Sequence, residues 1–365
     1  MKVLILANNV GGLLSFRREL LEKLVQEGCE VIADVPPDER SVELGSIGVK
    51  VVTCKNLSRR GTNPIEDLSL LIHYIHTIRN LSPNVVLTYT VKPNVYGGIA
   101  CQIMRVPYCA NVTGLGVAIE NGGILGLLTL HLYRWGLAGA RTVFFQNSSN
   151  KDLMQSKKVI NGSSCLLPGS GVNTTRFQEM EYPSENEDTR FITVGRIMRD
   201  KGIEELLESA RAIRAKHRNV HFILLGPFDE EWESTVDKAV ANGVITYIPR
   251  QPDVRPYVAS CHAILHPSWH EGMSNVCLEA ASMGRPVIAS DIPGCRETFD
   301  AGVSGISFEP RNAESLTDAI ERFIELPYEE KKQMGHAGRE KVVREFDRQI
   351  VINKYLEEIS AIAKE

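Results

Sequence analysis

The sequence predicts an α/β protein built from two doubly wound, parallel-sheet domains. Its 365 residues exceed what one typical hydrophobic core holds. Short strand-like apolar runs alternate with helix-length segments, as they do in parallel sheets with crossover helices. The alternation breaks once, at residues 168–188, where Pro, Ser, Asn and acidic residues are frequent. Two such domains would face a central cleft, with ligands beyond the carboxyl ends of the strands.

In the first half, each apolar run is assigned to a strand or a helix. The predicted strands are residues 3–6, 31–35, 49–54, 85–88, 108–112 and 142–146, and the predicted helices are residues 16–26, 65–80 and 97–104. Residues 124–140, ILGLLTLHLYRWGLAGA, are apolar almost all round. This pattern favours a buried core helix over a segment that dips into a membrane.

The second half repeats the alternation. Its predicted strands are residues 191–194, 220–225, 244–248, 263–266 and 286–290, and apolar residues at helical spacing predict a closing helix over 348–363. We therefore expect an N-terminal domain over residues 1–170 and a linker over 171–188. A C-terminal domain should cover 189–345, and the last helix, within 346–365, should pack back on the N-terminal domain.

The charge of the chain is nearly balanced, with 41 Lys and Arg against 45 Asp and Glu. Nucleic-acid-binding proteins usually carry a dense basic face, so a nucleic-acid partner is not expected. Residues 1–180 have a net charge of +5 and residues 181–365 one of −9. Taken alone, this asymmetry slightly favours a chance spread over solvated surfaces. The alternative is an N-terminal half that faces an anionic lipid surface or a diphosphate-bearing acceptor.

The eight cysteines show no CxxC spacing and lie mostly in apolar stretches. Buried, reduced thiols are therefore favoured over metal sites or disulfides. The first apolar run, MKVLIL, is too short for a signal peptide, and no run reaches the length of a membrane span. We expect a cytoplasmic protein.

Residues 266–297, HPSWHEGMSNVCLEAASMGRPVIASDIPGCRE, are the strongest candidate for a ligand site. A helix should begin near Ser274, and the free N–H groups and positive dipole end of such a start attract phosphate. Glu271 precedes this start and Glu279 follows eight residues later. One carboxylate can reach a ligand's sugar while the other accepts hydrogen bonds from ribose hydroxyls. An isolated pair of glutamates would more often be solvated, but the small and apolar residues around this pair favour function.

Residues 191–209, FITVGRIMRDKGIEELLES, place two cations directly after a predicted strand. Arg196 follows Gly195 at the end of that strand, and Lys201 opens the next helix. Two cations at such an edge can grip a diphosphate. Exposed loop charges are the commoner fate of such residues, but the position after a buried strand favours a site.

The first strand and the first helix are joined through Gly11 and Gly12, and paired glycines allow a close approach of backbone to phosphate. The segment is not GxGxxG and lacks an acidic residue placed to hold a nicotinamide ribose, so a dehydrogenase is disfavoured. The chain contains no Asp-x-Asp pair of the kind that holds a divalent ion. We expect an enzyme that works without a metal.

These motifs resemble those of the family-4 retaining glycosyltransferases, which have the GT-B fold of two Rossmann-like domains. The resemblance runs from Val3 to about Leu356. Its most specific part is HEGMSNVCLEA, the Glu-x7-Glu motif, supported by VGRIMRDKG, LLPGSGVNTTRF and GRPVIASDIPGCRE. SRRGTNP, TYTVKPNVYGGIA and NVTGLG are similar to bacterial N-acetylgalactosaminyl- and galactosyltransferases that extend undecaprenyl-diphosphate-linked sugars.

The resemblance implies that the N-terminal domain binds the acceptor and that the C-terminal domain binds the nucleotide-sugar. It also implies roles for individual residues. The expected catalytic residues are Arg196 and Lys201, which match diphosphate-binding cations, and Glu271, which matches a glutamate near the donor sugar. The other expected donor-binding residues are Gly11, Gly12, Gly195, Gly272, Met273, Ser274, Asn275, the ribose-binding Glu279, and Arg250. The expected acceptor-side residues are Arg59, Arg60, Lys92, Asn94 and Thr113, and Arg17 and Arg18 are two further basic residues expected near a lipid diphosphate.

One stretch departs from the family pattern. Many members carry a histidine in the loop after the fifth strand, where this chain reads NVTGLG at residues 111–116. No catalytic histidine is therefore expected, and His266 and His270 are expected to be structural. No cofactor is expected besides the UDP-sugar substrate.

The function that the resemblance implies is a retaining, metal-independent hexosyltransferase of bacterial surface polysaccharide or glycan synthesis. It would move a hexose or N-acetylhexosamine from a UDP-sugar to an undecaprenyl-diphosphate-linked saccharide, as a peripheral protein on the inner face of the plasma membrane. Two alternatives remain, a UDP-sugar 2-epimerase-like isomerase and a transferase with a soluble acceptor. A non-catalytic sugar-binding protein is disfavoured because such proteins are usually exported.

Overall fold

The computed structural model describes residues 1–54, 63–115, 119, 122–160 and 162–363. Contacts divide the chain into two compact units. The first unit combines Met1–Ser170 with Ile350–Glu365, and the second is Gly171–Gln349. Each unit is organised around one parallel sheet.

The first unit contains a seven-stranded sheet in the order β3-β2-β1-β4-β5-β6-β7. Its strands are β1 (Lys2–Leu6), β2 (Glu30–Val35), β3 (Lys50–Thr53), β4 (Val85–Tyr89), β5 (Tyr108–Val112), β6 (Thr142–Phe145) and β7 (Ser163–Leu166). Its helices are α1 (Val10–Phe16), α2 (Arg18–Gln26), α3 (Ser41–Ser46), α4 (Pro64–Leu81), α5 (Gly98–Met104), α6 (Gly123–Leu137) and α7 (Ser148–Ser156). A π-helical turn, Pro93–Gly97, runs directly into α5. The central strands are apolar along their length because helices cover both faces of the sheet.

The second unit contains a six-stranded sheet in the order β10-β9-β8-β11-β12-β13. Its strands are β8 (Thr189–Val194), β9 (Val220–Leu225), β10 (Thr246–Ile248), β11 (Ala263–His266), β12 (Val287–Ser290) and β13 (Gly305–Phe308). The remaining helices are α8 (Ile203–Lys216), α9 (Glu233–Ala241), α10 (Arg255–Ala259), α11 (Asn275–Ser282), α12 (Ala313–Glu325), α13 (Tyr328–Glu345) and α14 (Arg348–Ala363). All named strand pairs of both sheets are parallel. The predicted fold class, two Rossmann-like parallel-sheet domains, is confirmed.

The structure contains two strands that the apolar pattern does not predict. β7 has the sequence SSCL and β13 the sequence GISF, and both lie at the edge of a sheet. An edge strand needs less apolar surface than a central one, so its pattern is weak. The predicted helix over residues 16–26 corresponds to α2. A further helix, α1, precedes it and begins at Val10, where Asn9 caps it by accepting a hydrogen bond from the Gly12 N–H.

Residues 171–188, for which the sequence suggests a linker, belong to the second unit. Phe177 and Tyr182 in this segment are buried. The Tyr182 hydroxyl donates a hydrogen bond of 2.9 Å to the His262 carbonyl, and the Val172 N–H donates one to the Phe346 carbonyl. The segment is therefore packed on the second unit over much of its length.

The expectation that residues 124–140 form a buried core helix is wrong. Helix α6 buries Gly126, Tyr133, Gly136 and Leu137, whereas several of its large apolar side chains are exposed. Pattern alone could not show this, because a helix that is apolar all round carries no sign of which face lacks a neighbour. Among the described residues, no helix combines the length and the apolar character that a membrane span requires.

Helix α14 completes the core on one face of the first sheet. Val351, Ile352, Tyr355, Ile359 and Ile362 join that core. The Tyr355 ring lies 4.7 Å from the Phe144 ring, centroid to centroid, and its hydroxyl donates a hydrogen bond to Asn111 Oδ1.

Arg17 is also buried on this face. Its guanidinium carbon lies 5.1 Å from the ring centroid of Tyr89 and 5.8 Å from that of Tyr355. The expectation that Arg17 faces a lipid diphosphate is therefore wrong, because its charge is used inside the unit as a cation–π partner. Arg18 lies at the surface, where it forms an ion pair with Glu43.

We predict that Tyr355→Ala lowers the free energy of unfolding of the first unit by about 3–5 kcal/mol, the usual loss for a large buried ring. Tyr355→Phe should cost about 1–2 kcal/mol, because it keeps the ring and removes the hydrogen bonds of the hydroxyl, including the one to Asn111 Oδ1. Urea-induced unfolding measures both effects, and Ser360→Ala, an exposed change on the same helix, is the matched control. A loss below about 1 kcal/mol for Tyr355→Ala would show that α14 is not needed for this core.

Candidate active site

The predicted cations lie at the carboxyl edge of the second sheet. β8 ends at Val194 and is followed by Gly195 and Arg196, and Lys201 ends a short 3-10 turn just before α8. A small pocket opens here, and its lining includes Gly195, Arg196, Lys201 and His266, the last residue of β11. The structure thus brings residues from two neighbouring strands to one pocket, as expected for the edge of a parallel sheet.

Two glycines let the loops at this edge approach one another. A Cβ atom at Gly226 would lie 1.7 Å from the Gly195 carbonyl oxygen, and one at Gly202 would lie 2.0 Å from the Pro267 carbonyl oxygen. Gly202 also has a φ of +69°, which favours glycine. Backbone from three different loops therefore meets around the pocket only because these positions lack side chains.

Each of the two cations is paired with a carboxylate. Arg196 Nη1 lies 2.5 Å from Asp229 Oδ2, and Lys201 Nζ lies 2.5 Å from Glu271 Oε1. Charge-assisted hydrogen bonds of this kind are short and hold both partners in a defined position. An anionic ligand at this edge would therefore compete with Asp229 and Glu271 for two cations that are already oriented.

Glu271 is the charged centre of the loop between β11 and α11. Its Oε1 atom also lies 2.8 Å from His266 Nε2, which in turn lies 3.1 Å from Ser274 Oγ. Burial alone would raise the pKa of Glu271, but the Lys201 ammonium and the His266 hydrogen bond outweigh it and lower the pKa to about 2. Glu271 is consequently ionised at neutral pH.

The N-terminus of α11 is shaped by its capping residue. Ser274 Oγ accepts a hydrogen bond from the Cys277 N–H, and the Ser274 N–H donates one of 2.7 Å to the Gly294 carbonyl. Asn275 begins the helix, and its Oδ1 atom is buried without a hydrogen-bond partner among the described residues. The first N–H groups of a helix lack partners within it, so they are available to an anion.

Glu279 lies one helical turn further along α11. Its carboxylate makes no hydrogen bond or ion pair with the described part of the chain, although Arg348 and Arg176 are close enough to influence it. Burial raises the pKa of Glu279 to about 7, and the two arginines oppose that rise. A half-buried carboxylate with free acceptor atoms can accept hydrogen bonds from the hydroxyl groups of a ligand.

Comparisons with known proteins match both halves of the chain. Residues 2–147 match the family model "Glycosyl transferase 4-like", and residues 175–341 match "Glycosyl transferases group 1". The chain belongs to the glycosyltransferases. Its similarity to the family-4 enzymes, expected from the motifs, is thereby confirmed.

Two curated relatives show what the glycosyltransferase is similar to. It is 25% identical, over the full length of both chains, to the N,N'-diacetylbacillosaminyl-diphospho-undecaprenol alpha-1,3-N-acetylgalactosaminyltransferase of Campylobacter jejuni. It is 24% identical to the capsular polysaccharide biosynthesis glycosyltransferase CapM of Staphylococcus aureus, over 78% of each chain.

Two solved structures share the fold of the glycosyltransferase. A glycosyltransferase from Rickettsia africae superimposes with a TM-score of 0.81 at 19% identity, covering 100% of this chain and 99% of that one. Anabaena Alr3699/HepE in complex with UDP and glucose superimposes with a TM-score of 0.80 at 17% identity, covering 99% of this chain and 100% of that one. The GT-B fold is confirmed.

The other expected donor-binding residues of the glycosyltransferase do not all lie at the carboxyl edge of the second sheet. Gly272 and Met273 lie in the loop before α11, and the Met273 side chain is buried. Arg250 is exposed two residues after β10. Gly11 and Gly12 lie in the first unit, inside the first turn of α1 rather than in an open loop.

The expected acceptor-side residues lie in the first unit and differ in exposure. Lys92 Nζ forms an ion pair of 2.8 Å with Asp67 Oδ1. Thr113 is half-buried just after β5. Arg59 and Arg60 lie outside the described residues.

Asn94 requires a correction. It is fully buried, and its side chain accepts a hydrogen bond from the Thr88 hydroxyl and donates one to the Asn111 carbonyl. These bonds join the ends of β4 and β5 to the π-helical turn and leave no exposed atom for an acceptor.

Several residues around the donor site escape sequence reasoning. His266, expected to be structural, is the hydrogen-bond partner of Glu271, and Asp229 pairs with Arg196. Residues at the carboxyl ends of parallel strands meet at one edge of the sheet, and this rule could have placed both residues at the site from the sequence alone. His266 also lies within 4.8 Å, ligand atom to ligand atom, of Cys277 and Cys295, which are buried thiols.

We predict that Glu279→Gln stabilises the glycosyltransferase more at about pH 8 than at about pH 5. Between the unfolded pKa of 4.5 and the folded pKa of about 7, the folded protein keeps a proton on Glu279 that the unfolded chain has lost. The contribution of Glu279 to the free energy of unfolding is therefore kept at low pH and lost as the pH rises through that window. The glutamine of the variant does not ionise, so the variant does not lose this stability.

The difference in unfolding free energy between variant and parent should grow by about 1–2 kcal/mol over this range, after allowance for partial exposure. Thermal or urea unfolding at the two pH values measures it. Glu208→Gln, on the exposed side of α8, is the control. A pH-independent difference would show that the raised pKa of Glu279 is wrong.

Proposed function

We propose that the protein transfers a hexose or N-acetylhexosamine from a UDP-sugar to a lipid-diphosphate-linked saccharide, with retention of configuration, in bacterial surface polysaccharide or glycan synthesis. The observation that carries the proposal is the meeting of Arg196, Lys201 and Glu271 at the carboxyl edge of the second sheet, beside the N-terminus of α11. Two cations and a helix start suit a diphosphate.

The donor assignment rests on the second unit. Glu279, with free carboxylate oxygens on α11, is suited to two ribose hydroxyls, while Glu271 and the preceding loop are suited to the sugar. A related structure of the same fold was solved with UDP and glucose. UDP-sugar is therefore the donor class that we assign to this chain.

The acceptor assignment rests on the relative from Campylobacter jejuni, whose name describes an undecaprenol-diphosphate-linked substrate. The CapM relative is named for capsular polysaccharide. The first unit, with its basic excess, would bind this acceptor, and the enzyme would work as a cytoplasmic, peripheral protein at the anionic inner face of the plasma membrane.

The chemistry needs no nucleophile from the protein. The bond between the sugar's anomeric carbon and the UDP oxygen breaks while the acceptor hydroxyl oxygen bonds to the same face of that carbon, and the proton of that hydroxyl passes to the departing diphosphate. UDP and the lengthened saccharide leave. Arg196, Lys201 and the α11 N–H groups stabilise the growing charge on UDP, and Glu271 orients the sugar.

We predict that Arg196→Ala or Lys201→Ala lowers turnover about 10²–10³-fold, the usual loss for one electrostatic stabiliser. The measurement is release of UDP in the presence of a polyprenyl-diphosphate-linked saccharide, across a panel of UDP-sugars. Arg211→Ala, an exposed change on α8, is the control and should be silent. A folded Lys201→Ala protein with near-normal turnover would overturn the assignment.

The same assay separates the transferase from an isomerase. A transferase should release UDP in proportion to acceptor, whereas an epimerase would convert the UDP-sugar without any acceptor. Transfer to free saccharides as efficient as to lipid-linked ones would instead point to a soluble acceptor.

We also predict that EDTA leaves turnover unchanged and that added Mg²⁺ or Mn²⁺ does not raise it. Arg196 and Lys201 supply the positive charge that a metal supplies elsewhere. Moreover, the nearby group His266, Cys277 and Cys295 offers imidazole and thiol ligands, whereas Mg²⁺ prefers oxygen. Loss of activity with EDTA and its recovery with Mg²⁺ would contradict metal independence.

A further inference from the structure

The first unit exposes a large amount of apolar surface on three neighbouring helices. α4, α5 and α6 cover one face of the first sheet, and α5 packs against both α4 and α6. Large apolar side chains point outward from all three: Ile65, Leu68 and Ile72 on α4, Ile103 on α5, and Ile124, Leu125, Leu127, Leu128 and Trp135 on α6. We call this set the apolar face. Monomeric soluble proteins rarely leave such a surface uncovered without a partner.

The exposure follows from how α6 is held. A Cβ atom at Gly136 would lie 2.5 Å from the Val95 Cα atom, so α6 sits directly on the π-helical turn at this point. The Tyr108 hydroxyl donates a hydrogen bond of 2.7 Å to the Gly136 carbonyl, and Gln102 donates one of 2.8 Å to the Trp135 carbonyl. These contacts fix the inner side of α6, so its outer leucines cannot turn inward.

On α4, the same division into two faces is visible. Ile65, Leu68 and Ile72 share one side of the helix because they are three and four residues apart. Leu70 and Tyr74 lie on the opposite side and are buried in the core. The exposed residues are therefore additional to those that the fold requires.

Basic residues lie next to each helix of the apolar face, and the acidic Glu66 and Asp67 lie in the first turn of α4. Arg79 lies near the end of α4, and Arg105 follows α5. Lys157 and Lys158 lie beside α6, because the Arg134 guanidinium donates hydrogen bonds to both of their carbonyls. Residues 98–160 contain six Lys and Arg against two Asp and Glu. Apolar side chains next to an excess of positive charge are complementary to an anionic lipid surface, which offers hydrocarbon below a layer of negative headgroups.

We propose that the apolar face docks the protein on an anionic lipid bilayer, with the leucines of α6 and Trp135 entering the headgroup region. The inference rests on the proposed function, because a lipid-linked acceptor keeps its tail in the bilayer and requires an enzyme at that surface. It goes further by naming the surface. The protein lies on the membrane through side chains from three helices.

The test compares binding to sedimented vesicles of mixed phosphatidylglycerol and phosphatidylcholine. The double variant Leu127→Ser/Leu128→Ser should reduce the partition coefficient about 10–100-fold, since two large apolar side chains no longer leave water. Val240→Ser/Val303→Ser, two exposed aliphatic residues of the second unit, is the matched control and should bind as the parent does. Equal binding of the leucine variant and the parent would overturn the proposal.

A charge-reversal variant tests the basic rim separately. Arg105→Glu/Lys157→Glu/Lys158→Glu should bind anionic vesicles at least about 10-fold more weakly and with little salt dependence, while the parent loses binding as salt rises. Trp135 provides a spectroscopic readout: its fluorescence should shift to the blue on vesicle binding, and Trp135→Phe should abolish that shift. A parent whose vesicle binding causes no shift, or a Trp135→Phe variant that keeps the whole shift, would exclude insertion of Trp135.

Two further measurements separate this proposal from its rivals. With a short-chain, water-soluble diphosphate-linked acceptor, the leucine variant should keep the parent's turnover, whereas with the full-length polyprenyl acceptor in vesicles its turnover should fall. If the leucine variant loses vesicle binding but the parent transfers sugar to no acceptor, the proposed function is wrong and the docking surface stands. If light scattering shows that the parent is a dimer and the leucine variant a monomer, the apolar face is an interface between copies and the bilayer proposal is wrong.

Discussion

The carboxyl edge of the second sheet is organised around one largely buried carboxylate, that of Glu271, whose side chain is 15% exposed. An ionised carboxylate removed from water is costly unless opposite charge and hydrogen bonds compensate it. Lys201 and His266 supply both, from the turn after β8 and from the end of β11. The loops that carry these residues must therefore meet, and Gly202 permits this by letting its backbone pass close to Pro267. Trp269 holds the same loop to α8 through a 3.0 Å hydrogen bond with Glu205.

This arrangement means that the proposed donor site is formed before a donor arrives. Lys201 and Arg196 are already directed to the edge of the sheet, each held by a carboxylate, so little reorganisation has to accompany binding. A diphosphate that binds at this proposed site must, however, compete with Glu271 and Asp229 for the two cations. Glu279, in contrast, carries a carboxylate with free acceptor atoms in a site that raises its pKa, and this is the state expected of a group that is completed by its ligand.

The helices on the two faces of the first sheet differ in how much apolar surface they expose, although the strands between them are apolar on both sides. α14 closes one face, where Tyr355 and Arg17 bury their polar ends against Asn111 and Tyr89. On the other face, α4, α5 and α6 complete the core with their inner residues and keep a second apolar set outside. A sheet needs only one layer of helices on each face, so the outer set does not serve the fold and is available to a partner.

The sequence by itself determined most of the strands, the two parallel sheets and the positions of the candidate donor motifs, because periodicity, turn chemistry and helix starts depend on residues close together in the chain. Only the tertiary structure decided which charges are paired, that Arg17 and Asn94 are buried, and that α6 is exposed. Those outcomes depend on partners distant in sequence: Lys201 and Glu271 are 70 residues apart, and Tyr355 and Asn111 are 244 apart. Burial is a property of such neighbours, which is why a helix apolar all round could be read as core and yet present its leucines to the outside.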